Sequence, residues 1–340
     1  MSLATQIAVA GLGGLIFHVM GVPAAWLSGS VVGTILWNAT GRARPLPKTA
    51  VDLAMLVSGA TMGAAITPEA LAAITRYPSS LAVLMAGIVA IAGASALWLV
   101  RVSGWRRDDA VLASVPGALS TVMAVAADRN ADVSSIAIVQ SFRLFILIAC
   151  LPGLVVSLGG GGAVAMLLGE GQPVVDAAGL AVILFGGLAL GLVFERFGVA
   201  APVLLGATTV STVLHVTGRT PGVIPPVIAT GGLVLIGIYI AERFRNLDRA
   251  SVRKLVPAAL GSFAVGMAVA AAFSGLAAWL AGVSFANALV AFAPGGLEAM
   301  MILALVLGLD PLYVGIHHLA RFLGIGLVVP FLIAWLQRER

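Results

Sequence analysis

The sequence twice places an arginine in the middle of a long apolar run, eleven residues after an aspartate. These pairs are Asp132 with Arg143, and Asp310 with Arg321. In a helix that spacing is about 16 Å, which puts each guanidinium near the middle of an apolar layer about 30 Å thick. Charges at that depth are costly and usually functional, and guanidinium groups bind carboxylates through paired hydrogen bonds. The arginines therefore predict a site for a small organic anion. The alternative is that each arginine pairs with a carboxylate of the opposite half and stabilises the fold.

A proline–glycine pair precedes each aspartate, as Pro116-Gly117 and as Pro294-Gly295. Proline cannot donate the helical hydrogen bond, and glycine permits a sharp turn, so each pair predicts a broken helix or a re-entrant hairpin. Corresponding breaks in two halves of a membrane protein are typical of transporter binding sites. The alternative is that each proline simply begins a helix.

Further polar residues near the breaks are candidates for binding or for ion coupling. Ser120 and Thr121 offer hydroxyls to an anion, and Glu298 takes the place of Ser120 in the second copy. Glu298, Asp132 and Asp310 are the candidates for a coupling proton or Na⁺. The alternative for Glu298 is a salt bridge to one of the arginines.

Gln140 and His318 occupy the same place in the two copies, three residues before Arg143 and Arg321. Residues three apart share a helix face, so both belong to the predicted substrate site. The alternative for His318 is a packed, hydrogen-bonded histidine. His317 points away from that face and is expected to contribute less.

These candidates belong to a duplication that covers nearly the whole chain. Residues 114–152 match 292–330 with a shift of 178, and residues 14–29 match 191–206 with a shift of 177. The four glycines at 159–162 indicate a linker. The predicted organisation is repeat one at 1–158, a linker at 159–173 and repeat two at 174–340.

Composition places these repeats in a membrane. Of 340 residues, 60% are hydrophobic and only 10% are charged, against about 25% charged in soluble chains. The lipid bilayer is therefore the expected partner of an all-α polytopic fold. Apolar runs predict helices at 4–20, 23–40, 50–66 and 79–100, and at 176–197, 200–216, 224–241 and 253–281.

The placement of basic residues predicts the topology, because cytoplasmic loops carry an excess of Lys and Arg. If each repeat crosses five times and its proline–glycine segment is re-entrant, the repeats are inverted. Fifteen of the nineteen basic residues then lie inside and two, Arg76 and Arg219, outside. Six parallel crossings give no bias. We therefore expect inverted repeats of about five transmembrane helices each, with both termini cytoplasmic.

The paired PGAL and PGGL motifs, with the segments DVSSIAIVQSFRL and DPLYVGIHHLARF, resemble the AbrB-like integral membrane proteins over essentially the full chain. The resemblance implies a role as a transition-state regulator or, by another family name, an ammonia monooxygenase. The residues argue against both roles. Topology explains nearly all the basic residues, so no nucleic-acid partner is expected. A metal site needs clustered ligands, and only two of the four histidines are adjacent.

The residues favour a secondary transporter in the cytoplasmic membrane that moves a small organic anion, either a carboxylate or an amino acid. The chain lacks the phosphate-binding motif GxxxxGK[ST], so an ATP-driven mechanism is not expected. The transporter would use an ion gradient, with H⁺ or Na⁺ as the coupling ion, or would use exchange or depend on an outside partner. A homodimer is compatible with the sequence. No enzymatic activity, cofactor or metal is expected. The alternative is the membrane-embedded regulator or enzyme that the family names imply.

Overall fold

The structure, a computed structural model, describes residues 3–41, 44–116, 122, 126, 131–159, 173–245 and 249–338. Within these ranges the elements are helical, apart from one isolated β-bridge between Val174 and Val223. The helices of the first half are α1 Leu3–Val19, α2 Ala25–Asn38, α3 Lys48–Ala65, α4 Pro68–Ala72, α5 Tyr77–Arg101, α6 Arg107–Ser114 and α7 Val133–Ser157. Those of the second half are α8 Ala177–Arg196, α9 Pro202–Val216, α10 Pro226–Ala241, α11 Arg249–Ala281, α12 Phe285–Phe292, α13 Leu297–Val306 and α14 Pro311–Arg338.

The all-helical, membrane-type fold is confirmed. In the described part of the chain, four helices are long and apolar enough to cross a bilayer: α5 with its preceding turn, α7, α8 and α11. Shorter apolar helices accompany them at α1, α9, α10 and α13. The eight helices that hydropathy predicted are all present, and their ends differ from the predicted bounds by at most four residues.

The two halves repeat unusual backbone conformations at corresponding positions. Ala24 and Ala201 both adopt left-handed conformations, with φ of 55° and 49°, before α2 and α9 respectively. Non-glycine residues with positive φ are uncommon, and for alanine no side-chain hydrogen bond compensates. Positive-φ glycines also recur in pairs, at Gly21 with Gly198, Gly41 with Gly218, and Gly104 with Gly282. The sequence duplication is therefore also a duplication of local structure.

The chain forms two compact units, and each takes segments from both sequence repeats. The first unit contains Met1–Ala72, Ile148–Asn246 and Met301–Leu312. The second unit contains Ala73–Leu147, Leu247–Met300 and Tyr313–Arg340. Corresponding helices of the two repeats thus fall in the same unit, for example α2 with α9 and α5 with α11.

Helices in the first unit approach each other at glycines. A Cβ atom on Gly63 of α3 would lie 2.5 Å from the Thr208 carbonyl oxygen and 2.5 Å from Ser211 Cβ, both on α9. Gly13 of α1 and Gly29 of α2 meet backbone to backbone in the same way. Glycine permits this close packing, since side chains at these positions would force the helices apart.

The second unit pairs α5 with α11. Gly87 of α5 lies under the ring of Phe273, and Trp98 covers Gly261. Ser95 Oγ donates to the Ser262 carbonyl oxygen at 3.2 Å. The short helices α6 and α12 pack on α5 and α11 respectively. These contacts hold α6 and α12 in place, and these two helices end just before Pro116 and Pro294.

Glu242 follows α10 and ties its end to the segment before α3. Its carboxylate accepts a hydrogen bond from the Leu46 amide, and Asn38 Nδ2 donates to the Ala241 carbonyl oxygen at 3.0 Å. Burial raises the pKa of Glu242, against the opposing effects of the Leu46 amide and the Arg245 charge.

We expect a pH-dependent effect of Glu242→Gln on stability. Because the folded-state pKa is raised, the stabilisation from the protonated carboxyl is complete below the unfolded-state pKa and is lost as pH rises through the folded-state pKa. Gln keeps the acceptor without the charge. The melting temperature of the variant minus that of the wild type should therefore increase from about pH 4 to about pH 8. A difference that stays flat or falls over this range would contradict the assignment.

Candidate functional site

The second proline–glycine pair breaks a buried helical segment. The helix α12 ends at Phe292, α13 begins at Leu297, and the backbone between them is not helical. Pro294 and Gly295 within this break are buried. The break leaves carbonyl groups without helical donors, and in an apolar surrounding each needs another partner.

Arg321 of α14 supplies those partners. Its Nη1 donates to the Ala293 carbonyl oxygen at 2.6 Å, and its Nη2 donates to the Gly295 carbonyl oxygen. Nη2 also contacts Nδ1 of His318. The residue is only 3% exposed. Arg321 therefore holds the break in place through hydrogen bonds from its guanidinium group to the backbone of the break.

His318 completes this arrangement as a neutral imidazole. Its Nε2 lies 3.0 Å from the Val290 carbonyl oxygen, which can only accept, so Nε2 carries the proton. Its Nδ1 then accepts from Arg321, which has only donors. The alternative of a packed, hydrogen-bonded histidine thus describes the geometry found.

The first copy makes the corresponding contacts. Gln140 Nε2 donates to the Leu112 carbonyl oxygen at 3.0 Å, and Arg143 Nη2 donates to the Val115 carbonyl oxygen at 3.5 Å. Each of these bonds spans 28 residues, as do the bonds of His318 and Arg321 to Val290 and Ala293. Pro116 is buried just after α6. Gly117, Ser120 and Thr121 lie outside the described residues.

Arg143 differs from Arg321 in its surroundings. Among the described residues its guanidinium makes one long hydrogen bond, whereas Arg321 makes three contacts. Arg143 also lines a small cavity together with Ser95, Ser262 and Pro294. The cavity volume is about 10 Å³, enough for about one water molecule. Both arginines thus meet at the Pro294 break, one bound to its backbone and one beside a cavity.

The three acids do not lie in this cavity. Asp132 accepts from the Ser135 amide at 3.0 Å and from Ser135 Oγ at 2.6 Å, and these bonds lower its pKa. Asp310 accepts from the Leu312 amide at 2.9 Å. These are contacts of helix N-termini. Glu298 lies half-buried in the first turn of α13. Within the described ranges, no ion pair joins a carboxylate to Arg143 or Arg321.

Sequence reasoning missed the contributions of α5 and α11 and the packing of His317. Ser95 and Ser262 carry no local signal, because serine is common in apolar helices. His317 is fully buried, with Ser80 Oγ at 2.8 Å from Nε2 and the Tyr313 carbonyl oxygen at 2.8 Å from Nδ1. The Tyr313 ring lies 4.0 Å from the His317 ring. In the part of the chain that the structure describes, no three His, Cys, Asp or Glu side chains form a metal-binding group.

The comparison with protein families assigns the chain. The family model for the transition state regulatory protein AbrB matches residues 26–337, which is nearly the entire sequence. The chain belongs to the AbrB family. The resemblance based on the proline–glycine motifs is therefore confirmed, and the match includes both arginines and both breaks of this AbrB-family protein. No curated protein matches the chain.

Proposed function

We propose that this AbrB-family protein is a secondary transporter that moves a small organic anion across the cytoplasmic membrane. One observation carries the proposal: two intramembrane arginines, one from each sequence repeat, meet at a single broken helical segment. Arg321 binds its carbonyl groups, and Arg143 lies beside Pro294. Intramembrane charges and broken helices both mark substrate pathways in transporters.

The two arginines have different roles in this proposal. Arg321 is a positioning residue that fixes the backbone at Ala293 and Gly295. Arg143 is the substrate-binding cation, because it faces a cavity that also contains Ser95 and Ser262. A guanidinium with two parallel donors matches the two oxygens of a carboxylate. Serine hydroxyls can complete the recognition of a small acid or an amino acid.

In this conformation the cavity has room for about one water molecule. An organic anion therefore requires a conformation in which the space beside Pro294 is larger. Substrate binding coupled to such a change is the basis of alternating access. The charge distribution of the loops supports inverted repeats with cytoplasmic termini. An ion gradient of H⁺ or Na⁺ is the proposed energy source, and the protein is not proposed to be an enzyme. The regulator and monooxygenase alternatives rest on family names alone.

Substitution of Arg143 tests the proposal in liposomes that contain only the purified protein. We expect Arg143→Met to fold normally and to abolish uptake of radiolabelled carboxylates. Arg143→Lys keeps the charge but loses the planar fork, and it should weaken apparent affinity about ten- to a hundredfold, from a loss of about 1.5–3 kcal/mol. A screen of carboxylates and amino acids for thermal stabilisation supplies the substrate.

Two results would argue against this function. One is uptake that persists in Arg143→Met, which would place the substrate elsewhere. The other is the absence of uptake and of ligand stabilisation for all acids in the folded wild-type protein. Ser79→Ala is a matched control in the first turn of α5, because Ser79 is half-buried and its hydroxyl donates to the Arg76 carbonyl oxygen three residues before it.

A further inference from the structure

The first compact unit contains a cavity of about 450 Å³ that the proposed transport site does not use. It is lined by the last turn of α3, the end of α9, the segment Pro221–Ile224 and the end of α13. Cavities that bind small molecules typically have volumes of about 300–1,000 Å³ and mainly apolar walls. The apolar part of this wall includes Ala64, Val216, Leu305 and Leu309.

The duplication shows what occupies the equivalent place in the other repeat. Gly59 of α3 contacts Leu204, Ala207 and Thr208 of α9, and Gly237 of α10 makes the same three contacts on α2. Those contacts are with Leu27, Ser30 and Val31. Gly59 and Gly237 are therefore structural equivalents, 178 positions apart. With the same shift, Ala64 corresponds to Glu242 and Leu46 to Ile224.

One of these equivalent places is filled by a carboxylate. On the α10 side, the Glu242 carboxylate binds the Leu46 amide. On the α3 side, alanine replaces the glutamate, and both Ala64 and Ile224 line the open cavity. Among the described residues nothing accepts from the Ile224 amide. A backbone donor beside a cavity requires an acceptor from water or from a ligand.

His215 adds a polar side chain to the cavity wall. Its Nδ1 lies 2.7 Å from the Ser211 carbonyl oxygen, and its Nε2 lies 3.1 Å from the Gly222 carbonyl oxygen. Nδ1 also lies 3.3 Å from Ser211 Oγ, so these contacts fix the ring between its own helix and the Gly222 backbone. The equivalent residue on the α2 side is the neutral Asn38.

Other charged groups on the surrounding segments do not line the cavity. They are Glu69 of α4, Arg219 after α9 and Asp310 before α14, and Glu69 is fully exposed to solvent. Among the described residues that line the cavity, His215 therefore has the ionisable side chain. A carboxyl ligand there meets the His215 side chain and one backbone amide that has no acceptor among the described residues, beside apolar walls.

We propose that this cavity binds a small carboxylic acid with an apolar body. The carboxylate takes the place equivalent to that of the Glu242 carboxylate in the other repeat, where it accepts from the Ile224 amide next to His215. The apolar body packs against Val216, Leu305 and Leu309. This inference does not depend on transport, because the residues involved belong to a different compact unit from Arg143.

Benzoate and its neutral analogue benzamide test the proposal with the purified full-length protein in detergent. We expect benzoate to bind in calorimetric titration and to raise the melting temperature, and we expect benzamide to do neither. Ala64→Glu installs the glutamate of the other repeat. Its tethered carboxylate should abolish benzoate binding while the variant melts at or above the wild-type temperature. Ala64→Ser leaves the cavity open and is the matched control that should keep binding.

His215→Asn introduces the neutral residue of the other repeat and provides a second variant. It should weaken benzoate binding at least tenfold, because the ring beside the proposed carboxylate site is lost. The proposal is overturned if the wild type binds no benzoate, or if benzamide binds equally well. It is also overturned if both Ala64→Glu and His215→Asn bind benzoate with wild-type affinity, which would place the ligand outside this cavity.

Discussion

Arg321→Met is expected to prevent the protein from folding to a stable state. The substitution leaves the Gly295 carbonyl oxygen and Nδ1 of His318 without their donor. It also removes one of the two donors to the Ala293 carbonyl oxygen, which keeps the Gly295 amide at 2.7 Å. Each buried acceptor left unpaired costs about 1–3 kcal/mol. Two such losses amount to a substantial part of a typical domain stability of about 5–15 kcal/mol. Yield of monodisperse protein after size-exclusion chromatography and the melting temperature in detergent measure the effect.

The matched control is Arg143→Met, which replaces the equivalent arginine of the first copy. Arg143 makes one long hydrogen bond to the described residues, so this variant should be purified in near wild-type yield. Equal yields of the two variants would show that Arg321 does not hold the break.

The double variant Arg321→Met with Glu298→Gln separates two explanations of the same defect. We expect no recovery of folding, since the partners of Arg321 are backbone carbonyls. Recovery would show that Glu298 is the partner carboxylate and would remove the positioning role from Arg321. The two explanations can be separated because a substitution can remove the Glu298 carboxylate but cannot remove a backbone carbonyl group.

A second large effect is expected from Gly63→Ala in the first unit. The added Cβ would lie 2.5 Å from the Thr208 carbonyl oxygen and 2.7 Å from the Thr212 amide. Backbone atoms cannot turn away as a flexible side chain can, so α3 and α9 would have to separate. Overpacking of this kind typically costs about 1–3 kcal/mol and sometimes more. Thermal unfolding in one detergent should show a clear fall in melting temperature.

Gly93→Ala is the matched control in α5, because a Cβ at that position has no atom within 4 Å. Alanine should stabilise this helix by about 0.5–1 kcal/mol, since glycine is the poorer helix former. We therefore predict opposite effects on the melting temperature, which Gly63→Ala should lower and Gly93→Ala should raise. If Gly63→Ala is as well tolerated as Gly93→Ala, the close approach of α3 and α9 is incorrect.

Local chemistry explains why so much of the fold could be predicted. An apolar run must satisfy its backbone groups internally in lipid, and a helix does this without any distant partner. Hydropathy alone therefore located the helices. Pro294 has no backbone N–H to donate, whatever its surroundings. For this reason the break between α12 and α13 was also predictable.

The partners of Arg321 could not be predicted, because a guanidinium group can donate hydrogen bonds to any acceptor within reach. The sequence suggested a substrate anion or a carboxylate of the opposite half. The structure instead provides the carbonyl groups that the break itself releases. The difference between the contacts of Arg321 and Arg143 was likewise hidden, since the sequence places both in an apolar run eleven residues after an aspartate.

By itself, the sequence determined the membrane class, the duplication, the helices and the positions of the breaks and arginines, because each depends on a short stretch of chain. Only the tertiary structure decided what those residues contact. It placed Ser95 and Ser262 beside Arg143. It also showed that Ala64 lines a cavity, whereas its equivalent in the other repeat, Glu242, binds a backbone amide. Such contacts join residues far apart in the chain, and no local rule of composition or periodicity specifies them.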